Sequence, residues 1–112
     1  MKNLNLYQVY DNVGETTITT VIPAANDLTA ALGFRNAYIL EKNKQKNPYK
    51  YQALDLKKVA TLKIDENGLV VGVEKASWTI AGSMVIDFIQ EQMKDLGVDD
   101  FILDDENEEK EE

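Results

Sequence analysis

The sequence predicts one α+β domain: an antiparallel sheet of about four to five strands with two helices packed on one face. Three observations predict it. Short alternating or β-branched runs, at residues 4–10, 16–22, 58–64 and 69–73, are separated by turn-forming residues. Two longer stretches, after Asn26 and after Ile80, repeat apolar residues at helical spacing. The connections are short, and the order β-β-α-β-β-α sends both helices to the same side of the sheet. A chain of 112 residues has room for one such core.

In the first strand Leu4, Leu6 and Tyr10 fall on one face and Tyr7 and Val9 on the other, so both faces carry apolar groups. Asp11-Asn12-Val13-Gly14 is a turn cluster. Residues 16–22 are β-branched at nearly every position and predict a second strand in a hairpin with the first. Pro23, which cannot donate to a ladder, ends it. Asn26 or Asp27 caps a helix that runs to about Asn43, with Leu28, Ala31, Leu32 and Ile39 in a stripe beside Phe34, Ala37 and Tyr38. Gly33 inside this helix costs about 1 kcal/mol relative to Ala, which predicts a closely packed neighbour. Lys42, Lys44 and Lys46 close the helix where its dipole favours cations.

Asn47-Pro48 breaks the pattern. Residues 49–56 and 58–64 read as one long bent strand or two short ones, with Ala60, Leu62 and Ile64 alternating. Asp65-Glu66-Asn67-Gly68 predicts a type I′ hairpin turn, because Asn-Gly tolerates positive φ. The chain returns as a strand over 69–73, reaching at its furthest Trp78, a core or near-core residue. Ile80 or Ser83 begins the second helix, with Val85, Ile86, Phe88, Ile89, Met93 and Leu96 on one side, and Gly97 is its C-terminal stop. The division is therefore a folded domain over 1–98 and an acidic tail over 99–112, predicted to be disordered because a run of like charge repels itself.

The net charge of −8 resides entirely in that tail. Its nine acids outnumber Lys110 by eight, and residues 1–98 sum to zero. Within the neutral body, residues 35–63 carry +6, and the flanks carry −2 and −4. A total that argues against a polyanionic partner thus conceals a basic centre.

Composition excludes several chemistries. Without Cys there is no disulfide framework, thiol nucleophile or zinc knuckle, and without His there is no imidazole base or imidazole metal ligand. There is no Gly-rich phosphate loop, since Gly68 and Gly72 are isolated and open no helix. The acids at 65–66 and 99–105 lack the spacing of a calcium loop, and a hairpin tip and a solvated tail account for them. A hydrolase would depend on carboxylates or on Ser77 and Ser83 alone. The expectation is a non-catalytic protein without cofactor or metal. With neither an apolar leader nor a spanning run, it is expected to be cytoplasmic and to avoid membranes.

The basic centre is the candidate binding site: Lys42, Lys44, Lys46, Tyr49, Lys50, Tyr51, Lys57 and Lys58, with Tyr38 nearby. Cations that track phosphates, interleaved with rings that stack on bases, are what single-stranded nucleic acid requires. The competing explanation is a solvated lysine face with its tyrosines half-buried in the sheet. The tail favours binding, because a polyanion in cis occupies a cationic groove until nucleic acid displaces it. Its apolar insert Phe101-Ile102-Leu103 is the candidate docking point for a replication or host protein.

A basic core followed by an acidic tail resembles the layout of bacterial and phage single-strand-binding proteins, which implies autoinhibition and partner docking by the tail. In those proteins the apolar tip is usually terminal, whereas here Phe101-Ile102-Leu103 is internal, and the strand order is not their five-stranded barrel. A second likeness is local. Leu6-Tyr7-Gln8-Val9-Tyr10-Asp11, Pro23 before a helix opening at Asp27, Asn47-Pro48-Tyr49-Lys50-Tyr51 and the turn from Asp65 to Gly68 resemble the small non-structural proteins of gokushovirus-type microviruses. This likeness spans about seventy residues. It implies a small phage accessory protein in a single-stranded-DNA life cycle and assigns no site residue.

Two rivals remain. One is an acidic protein-interaction module that inhibits a nucleic-acid-binding enzyme by imitating DNA, for which removal of the tail abolishes activity. The other is a scaffold or virion component that forms homo-oligomers through a sheet edge at residues 4–10.

Overall fold

The computed structural model describes residues 2–40 and 50–97, and the architecture is α+β, an antiparallel sheet with two helices. Among the described residues six strands occupy four positions across the sheet. β1 (Lys2–Asp11) and β4 (Leu54–Ile64) form the centre, β2 (Thr16–Thr17) and β3 (Ile22–Ala24) share the flank of β1, and β5 (Val70–Lys75) and β6 (Thr79–Ala81) share the flank of β4. The segment at residues 4–10 is therefore central and paired on both sides, and is not the sheet edge through which the scaffold alternative has the chain oligomerise.

The predicted strand over 16–22 is broken in two. Between β2 and β3 a side chain replaces the ladder: Val9 N–H donates to Thr19 Oγ1 at 2.9 Å, and Gln8 Nε2 to Thr19 O at 3.4 Å. Hydroxyls of Thr compete with backbone pairing in this way. Pro23 does not end the strand but lies inside β3 opposite Leu6, tolerated because β3 is an edge.

Asn26 caps α1 (Asp27–Phe34), its Oδ1 accepting from Thr29 N at 2.8 Å. The helix does not continue regularly to Asn43. It passes into a π-helical turn over Arg35–Ile39 and stops at Leu40, which is extended. Ala30, Ala31 and Phe34 are its buried residues, with Leu28 and Leu32 half-buried, and the space beside Gly33 is open rather than closely packed. A 3-10 turn over Tyr51–Ala53 precedes β4, which is the single long strand of the two readings.

The tip at 65–68 is a type I turn followed by Gly68 at φ +82°, not type I′, since Asn67 keeps a negative φ. Asp65 is responsible: its Oδ1 accepts from Asn67 N and Leu69 N, at 2.9 and 3.0 Å, and its carbonyl from Gly68 N at 3.1 Å. Beyond β5 the chain leaves the sheet and rejoins it as β6, so Ile80 is in a strand. A 3-10 turn over Gly82–Met84 leads into α2 (Val85–Asp95), and Gly97 at φ +79° terminates it as predicted. Val85, Ile89 and Met93 are buried and Ile86 and Phe88 half-buried, whereas Leu96 is exposed.

The phase of the apolar pattern changes along the sheet. Tyr7, Val9, Leu54 and Leu56 face the helices and form the core with Ala31, Phe34, Val85 and Ile89. At Val59 β4 carries one residue more than β1, since Leu6 pairs with Ala60 but Tyr7 with Lys58. One extra residue moves every later side chain to the other face. Leu62 therefore points away from the helices, beside Leu4 and Val73, even though Leu54, Leu56 and Leu62 are all at even positions. β1 makes the matching change in its sequence, from Leu4 and Leu6 to Tyr7 and Val9.

Candidate nucleic-acid interface

β4 sends its adjacent lysines to opposite faces, because successive strand residues alternate. Lys57 is on the outer face, away from the helices, with its Nζ 4.0 Å from the centroid of the Tyr10 ring. Such a cation–π contact contributes about 0.5–1 kcal/mol at an exposed site. Lys58 is on the inner face. Its Nζ lies 3.1 Å from Asp27 Oδ1 and 5.7 Å from the centroid of Trp78, and its side chain is only 18% exposed. The fold commits Lys58 to the domain interior.

The remaining site residues divide further. Lys50 is exposed, in extended conformation just before the 3-10 turn. Tyr51 is half-buried and packs against the core, so it anchors that turn. Arg35, counted in the basic centre, is buried at 3% exposure and donates through Nε and Nη2 to Asn36 Oδ1 at 3.3 and 3.1 Å. Lys63 is paired with Glu74 at 2.8 Å. Lys42, Lys44, Lys46 and Tyr49 lie outside the described residues, as do Phe101, Ile102 and Leu103 and the rest of the tail. Of the candidate cations among the described residues, Lys50 and Lys57 are the two whose charge is directed outward.

Sequence reasoning missed the polar cluster behind Lys58. Tyr7 is fully buried, and its hydroxyl donates to Asp27 Oδ1 at 2.5 Å while accepting from Asn5 Nδ2 at 3.1 Å. Thr61 Oγ1 extends the chain by donating to Asn5 Oδ1 at 2.9 Å. A signal existed in the alternation of Asn5 with Leu4 and Leu6, which places a polar group in line with Tyr7. Asp27, assigned only to the helix start, is the acceptor on which Tyr7 and Lys58 converge.

Burial, and then the hydrogen bond to Asp27, hold the Tyr7 phenol well above the ordinary value of 10.0. Because the unfolded chain releases this proton first, the stability tied to it is complete below about pH 10 and falls as pH rises further. Urea unfolding followed by Trp78 fluorescence at pH 8 and about pH 11 measures it. Wild type is expected to lose roughly 1.4 kcal/mol more across that interval than Tyr7→Phe, the difference cancelling lysine deprotonation common to both.

Among the described residues no group of three or more Asp and Glu side chains is placed to hold a metal ion, and no helix is long and apolar enough to cross a membrane. No protein-family model matches the chain, and no curated protein or solved structure matches it.

Proposed function

We propose that this is a non-catalytic, phage-type accessory protein that binds single-stranded nucleic acid through its basic central segment, with the acidic tail as competitor. The observation that carries this reading is the segregation of charge, +6 over residues 35–63 of a body that sums to zero, against −8 over 99–112. The phosphate contacts in this reading are the outward-facing Lys50 and Lys57 together with Lys42, Lys44 and Lys46, which the charge pattern alone nominates, as it does Tyr49 for the stacking ring; Lys58 and Tyr51, packed into the domain, are left out. The likeness to gokushovirus-type non-structural proteins supports a single-stranded-DNA setting.

Phosphate contacts by these five lysines give a log–log salt slope of about −3.5 on a single strand. A labelled oligothymidine titrated at several salt concentrations measures it. The chain lacking residues 99–112 is expected to bind at least about tenfold more tightly than the full chain at low salt, because eight units of competing charge are gone. Lys50→Glu with Lys57→Glu is expected to lower both affinity and slope, while Lys58→Met changes neither. Absence of salt-sensitive binding by the truncated chain overturns the reading.

A second reading, a protein-interaction module or virion scaffold, is favoured by the aliphatic outer face of the sheet. As an interaction module it predicts that removing the tail abolishes activity rather than improving it.

A further inference from the structure

The two edges of the sheet differ. On one side the edge is divided into β2 and β3, interrupted by Thr19 and carrying Pro23, devices that prevent another strand from adding. On the other side β5 pairs with β4 through one flank, and no strand among the described residues pairs with its other flank. Val70, Val71 and Val73 are 53%, 55% and 66% exposed. The bulge at this edge is confined to Val71, so Gly72–Lys75 stays in regular register with Ala60–Lys63.

We infer that β5 pairs with β5 of a second copy of this chain, antiparallel about a two-fold axis at Val73. Residues on one face of an antiparallel pair oppose each other directly, so a two-fold axis passes through a residue position. An axis at Glu74 sets Glu74 against itself. An axis at Val73 sets Val73 against its copy on the outer face and Glu74 against Gly72 of the partner subunit on the inner face. Gly72 is the position over which Lys63 lies, its Cβ and Cδ each 3.6 Å from where a Cβ at Gly72 would stand. With no side chain at Gly72, the Lys63 stem lies over the backbone of β5 there, and its ammonium is 2.8 Å from its own Glu74. The pairing thus brings a carboxylate of one copy to a lysine of the other in both directions. It also continues the face of Leu4, Leu62, Ile64 and Val73 across the junction. A partner strand of other sequence has no such built-in match of valine to valine and Glu74 to Lys63.

This interface is one strand pair and lies at the small end of specific interfaces, which sets dissociation on the order of micromolar. Sedimentation equilibrium of the full chain without nucleic acid tests it, independently of the proposed binding function. The weight-average mass is expected to rise with concentration from 12.6 kDa toward about twice that value. Val73→Lys brings two ammonium groups together on the axis and is expected to weaken association at least about 100-fold. Glu74→Lys is expected to weaken it about tenfold, and Lys63→Glu added to Glu74→Lys to restore most of that loss. Ile22→Lys on the opposite edge leaves association unchanged. All four positions are at the surface or partly exposed, and far-ultraviolet circular dichroism verifies that each variant is folded. A 12.6 kDa mass at every concentration, dimers that survive Val73→Lys, or equal dissociation by Ile22→Lys overturns the inference.

Discussion

Replacing Gly82 by Ala is expected to destabilise the fold by about 3 kcal/mol or more, the larger end of what a single overpacking substitution does. A Cβ built there stands 1.8 Å from the Tyr51 carbonyl oxygen and 2.9 Å from that of Leu54. Both obstacles are backbone atoms, so rotamer changes offer no relief. The 3-10 turn over Gly82–Met84 sits directly against the 3-10 turn over Tyr51–Ala53, and the two enter α2 and β4 respectively. To admit one methyl group, either the start of β4 with Leu54 or the start of α2 with Val85 must move, and both are fully buried. Urea unfolding monitored by Trp78 fluorescence gives the difference. Gly33→Ala is the contrasting control: nothing lies within 4 Å of its Cβ position, and α1 is expected to gain about 0.5–1 kcal/mol.

The second large effect is expected at Asp27. Asp27→Ala removes the acceptor of the Tyr7 hydroxyl and the partner of Lys58 together, leaving a buried donor and a largely covered ammonium unpaired. Such losses cost about 1–3 kcal/mol for the donor and more for the charge, so about 3 kcal/mol in total is expected. Asp27→Asn keeps an acceptor for Tyr7 and is expected to cost about half as much. Lys58→Met in the Asp27→Ala background should recover part of the loss, because it removes the uncompensated charge. If the three variants unfold at the same urea concentration as wild type, Asp27 serves only as a first-turn residue of α1, a role contributing about 0.3–1 kcal/mol.

The apolar face of the sheet shows how far periodicity reaches. The alternation within β1 and β4 identified the strands, and the switch from Leu6 to Tyr7 identified a strand with two apolar faces. It did not locate the bulge at Val59, because β4 keeps its apolar residues at even positions on both sides of it. The bulge follows from pairing. β1 changes phase in its own sequence, and β4 stays opposite it only by carrying one extra residue. Similarly, Thr16 to Ile22 has the composition of a strand, and whether Thr19 donates its place to a side-chain bond is decided by where Val9 sits.

The candidate site was legible as a set of charges and not as a surface. Counting by segment located the basic centre and the tail. Membership was decided by alternation and packing: Lys57 and Lys58, neighbours in the chain, point to opposite faces, and Arg35 is buried beneath its π-helical turn. Local pattern was enough for the fold class, for a helix opening at Asn26 or Asp27, for the stop at Gly97 and for the separation of charge, since each depends on residues a few positions apart. The tertiary structure alone decided which lysines remain for a ligand, which edge stays open and why Gly82 must be glycine. Those depend on pairs such as Lys58 with Asp27 and Gly82 with Tyr51, brought together only when the sheet and helices have closed on one another.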